Sequence, residues 1–289
     1  MRSRPRGDCS SSGPGSPDWR RMNDLVEPDF DLARRFAGVA RLYGEAAVGR
    51  FRAAHVVIVG VGGVGSWAAE ALARSALGQL TLVDLDHVAE SNTNRQIHAL
   101  GDAYGKAKVD AMAERLLAIN PLCRIRPVDE FASVDNAGAL VAGADVVLDC
   151  IDQVVAKAAL IAAARAAGVA IVTCGAAGGR LDPTRIRCDD LARLAGDPLL
   201  ARVRHRLRRD HGFPRDDGKR PARFGVTGVY SDEPLQRPAP VCDAQGRPVP
   251  GAALACAGYG SSVVVTATMG FVAAGQALTM LSASPRRGG

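Results

Sequence analysis

From about residue 54 the polar and apolar positions of this 289-residue chain fall into a repeating order. His55–Gly60 (HVVIVG) is a short β-branched run that ends in glycine, which predicts a buried strand. Val64–Leu77 is alanine-rich and predicts a helix; Gln79–Asp84 (QLTLVD) predicts a second strand. Over Lys106–Ile119 the residues Val109, Met112, Ala113, Leu116 and Leu117 recur at helical spacing, and Asn120-Pro121 stops the run. Further strands are predicted at Cys123–Val128, Ala144–Asp149 and Val169–Cys174. Between the last two lies a helix over Val154–Ala167 that Gly168 caps. Strands alternating with helices predict an α/β chain built on a doubly wound, mainly parallel sheet.

The flanks follow other patterns. Residues 1–24 are rich in Arg, Ser, Gly and Pro with no apolar run and are expected to be a disordered leader. A helical stretch runs up to Phe51, Pro183–Cys188 suggests one more strand, and Asp197–His211 reads as a helix with an Arg-rich surface. Residues 212–255 are Pro-, Gly- and Arg-rich and are expected to form a long loop. Residues 248–285 hold no charged residue, and Gly258–Leu281 is long enough to span a bilayer, which takes about 20 residues. The small and polar residues in it, among them Ser261, Ser262, Thr266, Gly270, Gly275 and Gln276, suit a tightly packed core or dimer-interface helix better.

Composition narrows the class. With 47% hydrophobic and 23% charged residues the chain can bury a sizeable core, which excludes global disorder. The net charge of +6 points to an acidic partner, and its location is informative. Residues 22–201 hold 18 basic and 22 acidic residues, whereas 202–223 hold nine basic and three acidic. The body is therefore mildly acidic, and one 22-residue segment holds the excess. Seven cysteines, an odd number without a CxxC pair, argue against a disulfide scaffold and a structural zinc site. With no signal-peptide pattern, a reducing cytoplasm is expected.

The candidate chemistry starts at the first strand, which runs into Gly60-Val61-Gly62-Gly63-Val64-Gly65-Ser66. Such a turn lets backbone N–H groups approach a phosphate at a helix N-terminus. Asp84 lies 24 residues after Gly60, at the end of the second strand, where a carboxylate commonly holds a ribose; Asp86 follows. To this point NAD and ATP fit equally well. Asn92-Thr93-Asn94-Arg95-Gln96, then Lys108, then Asp149-Cys150-Ile151-Asp152 come next. Arg95 and Lys108 suit a triphosphate and Asp152 suits Mg²⁺, while a nicotinamide oxidoreductase leaves all three without a role. The Walker pattern GxxxxGK[ST] is absent, so ATP would be held without a P-loop.

In that order, Gly60–Ser66, Asp84-x-Asp86, Asn92–Gln96, Gly105–Lys108 and Asp149–Asp152 resemble the adenylating domain of the E1-like superfamily, over roughly residues 31–190. Within it the chain is most similar to the tRNA threonylcarbamoyladenosine dehydratase family. The residues that carry this are Arg35-Phe36, Arg41-Leu42-Tyr43-Gly44, Gly65–Arg74, Asn92–Leu100, Gly175–Pro183 and Ser231-Asp232-Glu233. The resemblance implies an enzyme that binds ATP and Mg²⁺ and adenylates the carboxylate of N6-threonylcarbamoyladenosine at position 37 of tRNA. The modification's own urea group then closes a ring, with net loss of water.

By position, the resemblance implies that Gly62, Gly63 and Gly65 form the phosphate turn and that Asp84 and Asp86 hold the ribose. Asn92, Arg95 and Lys108 steady the phosphates, and Asp152 binds Mg²⁺. Arg41, or alternatively Arg35, is lent to a partner subunit's ATP, which requires a homodimer. Residues 25–190 would then be the adenylation domain, 191–257 a tRNA-binding insertion and 258–289 an apolar helix with its tail. Arg202, Arg206 and Arg209, with Lys219, are the expected tRNA contacts. A substrate that brings its own nucleophile needs no enzyme thiol, so Cys150 and Cys174 are expected to be small core residues. Trp67 is expected to pack rather than stack on a base. The competing activity is adenylation of a sulfur-carrier protein's C-terminal glycine, and a sulfur-transfer partner remains an expectation.

Overall fold

The computed structural model describes residues 31–215, 223–236 and 259–283. The leader 1–24, Lys219, Cys9, Cys242 and Cys256 lie outside the described residues. Two helices, α1 (Leu32–Tyr43) and α2 (Glu45–Ala53), precede β1 (His55–Val59). Then follow α3 (Gly65–Ala73), β2 (Gln79–Val83), α4 (Lys108–Ile119), β3 (Arg124–Val128), α5 (Ala137–Val141) and β4 (Val146–Asp149). The remaining elements are α6 (Val154–Ala167), β5 (Ala170–Cys174), β6 (Ile186–Asp190), α7 (Pro198–Asp210), β7 (Thr227–Ser231) and α8 (Val263–Ala283).

The seven strands form one sheet in the order β3-β2-β1-β4-β5-β7-β6, parallel except for β6 against β7. The expected doubly wound architecture is present. Alternation along the strands divides the core. Val56, Ile58, Leu80, Leu82, Val146 and Leu148 face one layer with α3, α4 and α8, while Val57, Val59 and Val147 face the other with α6 and α7. The chain order reverses between β1 and β4, so the crevice at their C-terminal ends is where this sheet class binds its ligands.

Two elements differ from the sequence reading. The stretch expected as a loop over 212–255 contains β7, which inserts between β5 and β6 and extends the sheet beyond residue 190. The strand expected at Pro183–Cys188 starts at Ile186. Pro183–Arg185 form a 3₁₀ turn instead, with the Asp182 side chain accepting from Thr184 N at its start. The apolar C-terminal run is helix α8. It has the length and hydropathy of a membrane span, yet Val265, Met269, Ala273, Ala274 and Ala277 lie in the main core. A Cβ on Gly270 would come within 2.5 Å of Val64 O, so glycine there permits α8 to cross tightly against the start of α3.

Candidate functional site

The glycine turn at the β1–α3 junction is sterically committed to glycine. Gly60 has φ +89°, a conformation L side chains rarely adopt, and a Cβ on Gly65 would lie 1.9 Å from Gly60 O. Gly62 has open space, with Gln96 Nε2 nearest at 3.8 Å. Gly63 lies under the aliphatic stem of Arg95, whose Cγ and Cδ would be 3.2 Å from an added Cβ. Arg95 is thus brought to the edge of the turn, with its Nη1 donating to Ser91 O and Asn94 Oδ1, both at 2.9 Å.

Asp84 follows β2 and closes the turn from the neighbouring strand. Its Oδ2 accepts from Val61 N at 2.7 Å and its Oδ1 from Asp86 N at 3.0 Å. A carboxylate has about four acceptor sites, so two backbone bonds leave capacity for ribose hydroxyls. Lys108 begins α4. Its Nζ lies 2.7 Å from Asp86 Oδ2 and 4.0 Å from Asp84 Oδ1. The Lys108 side chain is 8% exposed, whereas that of Asp86 is 56% exposed. Asn92 is buried, and its Oδ1 accepts from Ala89 N at 3.0 Å, which shapes the crossover that delivers Arg95.

Across the switch point, Asp152 stands exposed on the turn between β4 and α6 and makes no hydrogen bond or ion pair among the described residues. That turn touches the glycine turn, since a Cβ on Gly60 would meet Cys150 C and Ile151 Cγ2 at 3.0 Å. Mg²⁺ usually binds through one or two carboxylates completed by substrate phosphates and water. One unpaired carboxylate beside a phosphate turn fits that pattern. Among the described residues no group of three or more His, Cys, Asp and Glu exists to hold a metal unaided.

The structure separates the two N-terminal arginines. Arg35 Nη1 donates to the carbonyls of Ala118 and Ile119, at 3.3 and 2.9 Å, and so satisfies the C-terminus of α4. Arg41, in the last turn of α1, is exposed and makes no hydrogen bond or ion pair among the described residues. Along α7, Leu199, Leu200, Val203 and Leu207 are buried, while Arg202, His205 and Arg209 are exposed. Arg206 is half-buried and pairs with Asp210 at 3.3 Å. Arg204 and Arg208 turn inward to Leu194 O and Pro214 O, at 2.5 and 3.2 Å. Asp197 caps α7 by accepting from Leu200 N at 2.8 Å and also accepts from Ala176 N at 2.9 Å, tying the helix to the loop after β5.

Several contributors escaped the sequence reading. Trp67 Nε1 donates to Arg95 O at 2.9 Å, and its ring meets Phe271 edge-on at 5.8 Å, so the packing residue also holds Arg95 in place. Asn94 Nδ2 donates to Ser261 O at 2.8 Å. Behind the Asp152 turn Lys157 Nζ sits 2.8 Å from Asp149 Oδ2, both side chains fully buried. Burial pushes the Asp149 carboxyl up, and Lys157 and Thr173 pull it back. Cys174 is buried and Cys150 half-buried, their sulfurs 3.9 Å apart. The bond to Cys174 and burial hold the Cys150 thiol well above its usual range, so it is a poor nucleophile.

A sheet of this order, with Lys108 on the helix after the β2 crossover and no lysine in the glycine turn, is that of the E1-like nucleotide-binding proteins. The chain belongs to the ThiF family, whose model matches residues 33–287. It is 47% identical to the Escherichia coli tRNA threonylcarbamoyladenosine dehydratase over 261 residues, 89% of this chain and 96% of that protein. The crystal structure of E. coli tRNA N6-threonylcarbamoyladenosine dehydratase in complex with ATP is similar at a TM-score of 0.79 and 45% identity, over 91% of this chain and all of that one. Its complex with AMP gives 0.77 at 45% identity, over 89% and 97% of the two chains.

Proposed function

We propose that this chain is an ATP-dependent tRNA threonylcarbamoyladenosine dehydratase, which adenylates the carboxylate of N6-threonylcarbamoyladenosine-37 and cyclises it. The observation that carries the reading is the crevice at the β1/β4 switch point, with its glycine turn, Asp84–Asp86–Lys108 cluster and Arg95. It stands in a chain 47% identical to such an enzyme over 96% of that enzyme's length.

The substrate carboxylate attacks the α-phosphorus of ATP, pyrophosphate leaves, and an acyl adenylate forms. The urea group of the same modification then attacks the activated carbonyl and AMP departs; the net change is loss of one water from the nucleoside. Gly62, Gly63 and Gly65 present backbone N–H groups to the phosphates, while Asp84 and Asp86 hold the ribose. Lys108 exchanges Asp86 for a phosphate oxygen, and Arg95 stabilises charge on the phosphates with Asn92 fixing its crossover. Asp152 would hold Mg²⁺, which when bound neutralises phosphate charge. Arg41, which makes no hydrogen bond or ion pair among the described residues, serves the crevice of a second copy in a homodimer. Arg202 and Arg209 on α7, with Arg206 and Lys219, hold the tRNA backbone, so the tRNA-binding part is α7 and the stretch that follows it, before the chain returns to the adenylation sheet at β7. A cytoplasmic setting agrees with these substrates, and a sulfur-transfer protein is a further expected partner.

Purified protein, ATP, Mg²⁺ and tRNA bearing the modification test this. The expected result is AMP release matched by loss of one water from the nucleoside. ATP turnover without that mass change, or no turnover, overturns it.

A further inference from the structure

The pair Lys157–Asp149 has no part in the contacts assigned above, and its placement is unusual. Lys157 stands in the first turn of α6, where the helix dipole disfavours a cation. Its Nζ reaches the Asp149 carboxylate at 2.8 Å and the Asp149 main-chain carbonyl at 3.2 Å, and neither side chain is exposed. Thr173 Oγ1, from the neighbouring strand, donates to the same carboxylate oxygen at 2.7 Å, and Ile151 N lies 3.4 Å from the other. A charge buried so completely persists only when paired and hydrogen-bonded, so each member of the set holds the others in place.

The consequence lies in the turn between them. Asp149 is the last residue of β4 and Val154 the first of α6, so Cys150–Gln153 bridge two ends that Lys157 ties together. The same turn is packed on the phosphate side of the crevice. Cys150 Cβ would be 3.3 Å from a Cβ on Gly65, and Cys150 C 3.0 Å from one on Gly60. It also carries Asp152.

We propose that Lys157 is a positioning residue which, through Asp149, sets the Cys150–Gln153 turn so that Asp152 is presented to the metal-bearing phosphates of a nucleoside triphosphate. The inference rests on the reading of Asp152 given above and adds the residue on which that carboxylate's placement depends. Lys157 touches neither nucleotide nor metal; it acts by pinning both ends of the turn.

The test is calorimetric binding on the full chain, with ATP in the presence and absence of Mg²⁺ and with AMP. In the unsubstituted protein Mg²⁺ is expected to tighten ATP binding. Lys157→Met, close in length and apolar, is expected to reduce that gain about 10-fold, the lower end of what removing an outer-shell partner costs a metal site. AMP, which lacks the β- and γ-phosphates, is expected to bind nearly as before. Lys157→Arg keeps the cation and is expected to recover part of the gain. Where Lys157→Met does not fold, Asp149→Asn/Lys157→Met removes both charges and is expected to show the same selective loss. A folded variant with unchanged Mg²⁺ dependence overturns the inference, and so does an equal loss of AMP and Mg²⁺–ATP affinity. If the unsubstituted protein shows no Mg²⁺-dependent ATP binding, it is the adenylation reading itself that falls, and this inference with it.

Discussion

Gly65→Ala is the sharpest test of the crevice, because the structure places the added atom. The new Cβ would lie 1.9 Å from Gly60 O, 3.0 Å from Gly60 C and 3.3 Å from Cys150 Cβ. Carbon atoms in contact sit about 3.5–4.0 Å apart, so the turn must open by more than about 1 Å. The two nearest atoms, Gly60 O and C, are main chain, and no rotamer change relieves them. Overpacking of this kind costs about 1–3 kcal/mol of stability, and a displacement near 1 Å at a reacting site costs about 100-fold in rate. Gly62→Ala is the internal control, since its nearest neighbour, Gln96 Nε2, would be 3.8 Å away. Urea unfolding followed by circular dichroism should therefore put Gly65→Ala at least about 1 kcal/mol below the unsubstituted protein, with Gly62→Ala within about 0.5 kcal/mol of it. Calorimetry should show ATP affinity lost in Gly65→Ala. If Gly65→Ala binds ATP normally at unchanged stability, the turn is not the rigid phosphate cradle described here.

Three further outcomes are expected. Trp67→Phe keeps the ring but removes the bond to Arg95 O, so stability should fall by only about 1 kcal/mol while kcat falls further than KM changes; steady-state kinetics with modified tRNA check this. Arg202→Ala/Arg209→Ala should raise KM for tRNA and lower the slope of log binding against log salt by about 2, with ATP affinity unchanged; an unchanged slope removes α7 from the tRNA surface. His98 is buried, and its pKa is pushed down to about 4, first by burial and then by Lys108 and Arg115. The unfolded chain takes up this proton near pH 6.5 and the folded chain only near pH 4, so stability should fall by about 3 kcal/mol as pH drops through that window; chemical denaturation at several pH values should show the slope, and His98→Phe should remove it.

The first five strands and the crevice were legible because their signals are local. Five residues of HVVIV running into glycines announce a strand and a phosphate turn wherever they occur, and Asp84 is fixed by its distance from that turn. β7 was not legible. Thr227–Ser231 carries a glycine at its second position, too weak a pattern for a strand, and it exists because β5 and β6 flank it. Trp67 illustrates the same limit: packing was expected from its type, whereas its bond to Arg95 spans 28 residues and depends on how the crossover folds back.

The two buried lysines show how a cation open to a ligand differs from a structural one, a distinction that spacing does not encode. Both stand in the first turn of a helix after a strand, and each pairs with an aspartate at 2.7–2.8 Å. What differs is the partner. Asp86 is 56% exposed, so water would take over its charge if Lys108 moved to a phosphate, and the exchange would cost little. Asp149 is 0% exposed, so releasing Lys157 would strand a carboxylate in the core. Lys108 is therefore available to a substrate and Lys157 is not, although each stands in the first turn of its helix, against the dipole. The exposure of the counter-ion, a property of the folded chain, separates the residue that acts from the residue that holds.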